Sequence, residues 1–300
     1  MASFACASAQ PDSSAEQRGA DHGGLGGAAP LLGSAQTFAV LAGSTVTNTG
    51  PTTVSGDLGV NPGLAITGFP PGIVTDGVTH AGDALSLQAQ TDVTAAYGVL
   101  AGEACDTDLS GTDLGGLTLV PGVYCFSSSA QLTGALVLDA GGHADAVFVF
   151  KMVSTLTTAS NASVRVINGG GDCNVFWQVG SSATVGTGTT FVGSILALTS
   201  ISLATGASIS GRALARNGAV TMDDNAVTNA SCKSVVAMDA GAPDAAHAPD
   251  AAPTDSGMGM TDAGSPTPDA GSPTPDAGAS DGSTTTCDAD TTDANTGPSP

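Results

Sequence analysis

Basic residues are scarce in this chain. Six Lys and Arg stand against 27 Asp and Glu over 300 residues, for a net charge of −21. Six cations cannot neutralise a run of phosphates, which argues against a nucleic-acid partner. An anionic membrane surface would repel the chain, and no membrane insertion is expected. Aromatics are 4% and charged residues 11% of the sequence. Gly, Ala, Ser and Thr dominate instead, which favours a thin, repetitive β core over a globular α/β one. None of the six cysteines forms a C-x-x-C pair, so a zinc site or redox dithiol is not expected. The four histidines (His22, His80, His143, His247) are scattered, and no H-E-x-x-H, G-x-S-x-G or Walker pattern occurs. Gly186-Thr187-Gly188 begins a G-x-G, but Phe191 stands where the third Gly would be. No catalytic residue, metal or cofactor is therefore expected.

What the chain does have is an echo. Ser181–Ala197 (SSATVGTGTTFVGSILA) is answered eighteen residues later by TSISLATGASISGRALA, ending at Ala215. Phe191 falls over Ile209, Gly193 over Gly211 and Ala197 over Ala215. A repeat of this length, with short β-type runs broken by Gly, reads as coils of a β-solenoid, whose thin layers must stack to bury an apolar side. Val179, Phe191, Ala197 and Ile209 are the expected inward residues.

Residues 1–30 lack apolar periodicity and read as a leader. Ala7-Ser8-Ala9 is like the end of an export signal, so a secreted or surface-tethered protein is expected. Residues 31–232 form the expected solenoid domain, with thirteen acids and four bases. Within it, Ala81, Leu85, Ala89, Val93, Ala96 and Leu100 recur at helical spacing, which predicts one long helix over about 79–101 capped by Thr79. Cys105, Cys125, Cys173 and Cys232 lie in this domain. Pairing as Cys105–Cys125 and Cys173–Cys232 brackets one segment each, and free thiols are the alternative. From residue 233 onward, 11 Asp, scattered Pro and no aromatics predict a disordered acidic tether.

Threonine placement carries the functional reading. Thr158-Ala159-Ser160-Asn161, Thr187-Gly188-Thr189-Thr190, Thr205-Gly206-Ala207-Ser208 and Thr49-Gly50-Pro51-Thr52 share a T-A/G-x-T/N pattern, Ser208 being the departure. Stacked in register, such residues would repeat at roughly 4.8 Å across strands and roughly 7 Å along them. Small β-branched side chains with few rotamers make a rigid surface, and each Thr offers a methyl and a hydroxyl to order water.

Five segments carry a resemblance: FAVLAGSTVTNTG from Phe38, GDLGV from Gly56, LVPGVY from Leu119, NVFWQVG from Asn174 and GRALARNGAV from Gly211. Together they resemble the microbial ice-binding family built on domain of unknown function 3494, in unbroken order over about 31–232. The resemblance implies a mainly β chain: a discontinuous right-handed β-solenoid of triangular cross-section with one long helix alongside. It implies the ice surface and its ordered water as the partner of a monomer. Thr158, Asn161, Thr187, Thr190, Thr205 and Ser208, with Thr49 and Thr52, become the expected ice contacts. A surface adhesin or spacer is one rival. A polysaccharide-acting β-helix enzyme using Asp223, Asp224, Arg212 and Arg216 is another.

Overall fold

The computed structural model describes residues 26–229. Most of the expected leader, the acidic tail, Cys232 and Cys287 lie outside them. Among the described residues the chain forms 22 short strands, one α-helix and two short 3-10 helices, and the strands pair in parallel. Each turn of chain lays down up to three strands, giving a solenoid with three faces.

One face is a separate seven-stranded sheet of Ala130–Leu132, Leu156–Thr158, Ala183–Val185, Ile201–Leu203, Val220–Asp223, Thr45–Thr49 and Ala65–Thr67, in that spatial order. The other two faces are joined into one sheet because Thr190–Ala197 and Ser208–Ala215 run around a corner. They pair along their whole length, from Thr190 with Ser208 to Ala197 with Ala215, so the eighteen-residue echo is one step of the ladder. Gly193 and Gly211 sit at the bend with φ of 109° and 146°. A Cβ on Gly211 would lie 2.1 Å from the Gly193 carbonyl oxygen. Only glycine allows the two backbones to approach there.

Inside, the apolar members of each coil stack on the next. Tyr124, Phe150, Trp177 and Phe191 form a column with successive ring centroids 5.4, 4.0 and 4.9 Å apart. The Trp177 indole donates to the Val192 carbonyl at 3.0 Å, so no polar atom of that ring is left bare. Val179, Phe191, Ala197 and Ile209 are buried as expected.

The strand order is discontinuous. Thr45–Thr49 lies beside Val220–Asp223, so the N-terminal coils dock on the C-terminal one. After Thr79–Ala81 at that end, the chain returns to the other end through the helix Ala84–Gly102. The helix starts later than its period suggests because Thr79 is held in a strand, paired with Leu58. Gly82 then turns with φ 67°, and Asp83 is the cap, its carboxylate accepting from the Ser86 N–H at 2.8 Å. That bond, with the His80 imidazole at 2.6 Å, holds the Asp83 carboxyl down at about 2. Ala89, Val93, Ala96 and Leu100 bury the helix against Phe38, Leu41, Leu196 and Leu214 on the outer side of one face.

Arg212 is buried on the same flank. It donates to the Gln36 carbonyl at 2.9 Å and to the Ser194 hydroxyl at 3.3 Å, and burial lowers its pKa only to about 10, so it stays cationic. Cys105 and Cys125 form a disulfide with Cα atoms 5.9 Å apart, fixing the segment after the helix to the sheet. Cys173 is also disulfide-bonded, and its expected partner Cys232 lies outside the described residues.

Candidate functional site

The seven-stranded face is built from triplets in which an outward polar residue, usually a hydroxyl, stands between two inward ones. In Leu156-Thr157-Thr158, Ala183-Thr184-Val185, Ile201-Ser202-Leu203 and Val220-Thr221-Met222 the outer two residues are buried and the middle one faces out. Strand alternation forces this: burying positions i and i+2 exposes i+1. The ladders then align the middle residues. Gln131, Thr157, Thr184, Ser202, Thr221, Thr47 and Thr67 are paired in turn, one per strand, in a single unbroken row. All seven are exposed except half-buried Ser202, and none is charged.

Hydroxyls on the face bond to one another across coils. Thr221 Oγ1 donates to Ser202 Oγ at 3.0 Å, and Thr155 Oγ1 to Ser129 Oγ at 2.8 Å. These bonds and the β-branched rotamers fix where the methyls and hydroxyls stand.

The expected site residues are distributed differently from the T-A/G-x-T/N reading. Thr49 is exposed on this face, paired with Asp223. Thr187 and Thr205 are exposed at the corner that borders it, and Thr205 Oγ1 donates to the Asp223 carboxylate. Asn161 is also at that corner, with φ 58°, matching Gly188 at 65° and Gly206 at 73° in the following coils. Its place is set by the left-handed turn, which Asn tolerates. Thr190 and Ser208 lie past the corner, paired with each other on the next face.

Thr158 and Thr52 are corrections. They are 3% and 0% exposed, and neither reaches solvent as an ice contact would. Leu132 and Thr158 are partners, and the following pairs Leu156–Ala183 and Thr157–Thr184 align Thr158 with Val185, an inward position. The motif at Thr158 thus starts two residues earlier in its coil than the one at Thr187 does in the next. Thr158 Oγ1 accepts from the Gly186 N–H at 2.8 Å and lies 3.1 Å from Thr189 Oγ1, which donates to the Ala159 carbonyl at 3.0 Å. Each hydroxyl has one proton, so the chain runs Gly186, Thr158, Thr189, Ala159. At the corresponding corner nearer the N-terminal coils, Thr52 Oγ1 accepts from the Asn225 N–H at 3.0 Å, and Asn225 Nδ2 donates to the Ala204 and Ala207 carbonyls at 2.8 and 3.0 Å. These side chains knit coils together from inside.

The Ice-binding-like family model matches residues 40–228. The chain belongs to that family. An ice-binding protein of Nostoc sp. (strain HG1) is 60% identical over 201 residues, covering 67% of this chain and 74% of its own length. Among solved structures, the ice-binding protein of the Antarctic ascomycete Antarctomyces psychrotrophicus superposes with a TM-score of 0.65 at 42% identity, over 67% of this chain and 98% of that one. The domain from Shewanella frigidimarina ice-binding protein 1 gives 0.64 at 32% identity, over 68% and 98%. The matched region contains all seven strands of the threonine face. As a family member the chain is a mainly β solenoid with a single flanking α-helix among its described residues. None of those residues forms a helix long and apolar enough to cross a membrane.

Proposed function

We propose that this protein binds ice through the seven-stranded threonine face, and so slows crystal growth and recrystallisation. The observation that carries the reading is the in-register row from Gln131 to Thr67. Seven strands spaced at roughly 4.8 Å make a surface about 29 Å long, with side chains repeating at roughly 7 Å along each strand. A regular lattice of methyls and hydroxyls holds water in an ordered layer that can merge with a crystal plane. A charged group would instead impose its own hydration shell, and the row has none. Adsorbed molecules pin the growth front, which must bulge between them. No bond is made or broken, so the protein acts as a binder rather than an enzyme, and one chain carries the whole face.

A secreted or surface-tethered setting fits this role. The Cys105–Cys125 bridge and the bonded Cys173 suit an oxidising compartment.

The test is a comparison of Thr184→Tyr and Thr221→Tyr with Thr190→Tyr, scored for recrystallisation inhibition and thermal hysteresis on folded protein. Both central variants are expected to lose most activity, while Thr190→Tyr on the neighbouring face keeps it. Full activity in both central variants would sink the assignment.

A further inference from the structure

The helix is shorter than the face it covers. Its 19 residues span about 28 Å. The nine strands beneath, from Thr79–Ala81 to Thr107–Asp108, extend about 38 Å. The outward row changes character where cover runs out. Leu41, Leu214 and Leu196 are followed, strand by strand, by Gln178, Lys151, Cys125 and Asp108. A groove of about 890 Å³ opens over this polar part, with Tyr97 and Ala101 of the helix as one wall and Phe126, Met152 and Val153 as apolar lining.

Two observations point to a ligand. The volume lies within the roughly 300–1,000 Å³ of small-molecule sites. Gln178, only 7% exposed, lines the groove, and no described protein group hydrogen-bonds its carboxamide. Its carboxamide oxygen and NH2 reach the solvent of the groove and take no protein partner among the described residues, which leaves both open to a ligand. Beside it, Lys151 Nζ uses one proton on the Glu103 carbonyl and has two more. Asp108 is kept ionised by the Ser110 hydroxyl and N–H, and Asp106 binds the Val123 N–H at 2.8 Å through Oδ2.

We propose that this groove binds a single neutral sugar ring. One ammonium against two carboxylates disfavours an anion, and the ammonium at the centre of the row disfavours a cation. The carboxamide can donate to one hydroxyl and accept from its neighbour, as adjacent ring hydroxyls require. Lys151 donates to a further hydroxyl oxygen and Asp108 accepts a hydroxyl proton. The C–H side of the ring would lie against exposed Val153. None of these residues belongs to the threonine face, so a glycan and an ice crystal would be held on different sides of the solenoid.

Full-length protein titrated with D-glucose, D-galactose, D-mannose and N-acetyl-D-glucosamine, followed by amide NMR, tests this. At least one sugar is expected to give saturable shifts centred on Tyr97, Lys151 and Gln178. Gln178→Leu and Lys151→Met should each weaken that binding about tenfold, the effect of losing one buried hydrogen bond. Recrystallisation inhibition should stay as in the parent in both variants, and the thermal midpoint should fall only in Lys151→Met, which gives up the bond to the Glu103 carbonyl. Lack of saturable shifts with all four sugars overturns the proposal, as does undiminished binding in both variants.

Discussion

Thr157 and Thr158 are adjacent in sequence and opposite in role, which makes a paired valine substitution informative. Valine keeps the branched shape and removes only the hydroxyl. In Thr158→Val the Gly186 N–H loses its acceptor and Thr189 Oγ1 loses its donor. A net hydrogen bond contributes about 1 kcal/mol, and a donor left unpaired away from water costs about 1–3 kcal/mol. A destabilisation of about 2 kcal/mol is expected, and for a domain of this size each kcal/mol moves the midpoint by about 2–4 °C. Thermal unfolding followed by far-UV circular dichroism should therefore show a drop of about 4–8 °C, with ice activity retained well below the midpoint. Thr157→Val has no hydroxyl partner to lose within the protein and should change the midpoint by less than about 2 °C. Its effect should be on recrystallisation inhibition. If Thr158→Val unfolds like the parent but loses ice activity, Thr158 faces out and the described register is wrong.

Gly211→Ala should destabilise severely, by more than about 3 kcal/mol, because the new Cβ meets backbone rather than a movable side chain and φ is 146°. Urea denaturation checks it, and a midpoint like the parent's would refute the close approach of the two strands. Asp83 gives a pH dependence. Its folded pKa, about 2, lies below the ordinary aspartate value of 3.8, so its contribution is complete above about pH 4 and fades as pH falls towards 2. Asp83→Asn should flatten that part of the acid stability profile, and an unchanged profile would show that the cap does not titrate as described.

Much of the fold was legible because stacking writes itself into sequence as a period. The echo aligning Phe191 with Ile209 and Gly193 with Gly211 is the ladder register itself. The helix was visible from its spacing, but not its start, since Thr79 satisfies its backbone in a strand that propensity cannot foresee. The outward face is less legible for a local reason. The four-residue T-A/G-x-T/N motif falls at a corner and in two different phases. Thr158 lies three residues before the left-handed Asn161, whereas Thr187 lies directly before the equivalent Gly188. The better signal was plainer: a hydroxyl residue between two apolar ones, as in Ala183-Thr184-Val185 and Val46-Thr47-Asn48, where Asn48 is the polar exception. The discontinuous order is legible only through the family resemblance, because nothing in Thr45–Thr49 itself announces that its neighbour is Val220–Asp223.

That neighbour relation has a consequence for when the proposed ice-binding face is complete. The row from Gln131 to Thr67 is continuous only through the Thr221–Thr47 contact, so its two halves come from opposite ends of the domain. While the chain is being made or exported, Thr47 and Thr67 emerge early and have nothing to dock on. The face is completed only once Val220–Asp223 has emerged and folded. A chain stopping short of Val220–Asp223 would therefore present two separate patches, of four strands and of two, in place of one continuous seven-stranded surface. On the proposed reading, ice binding waits for the coil that ends at Asp223.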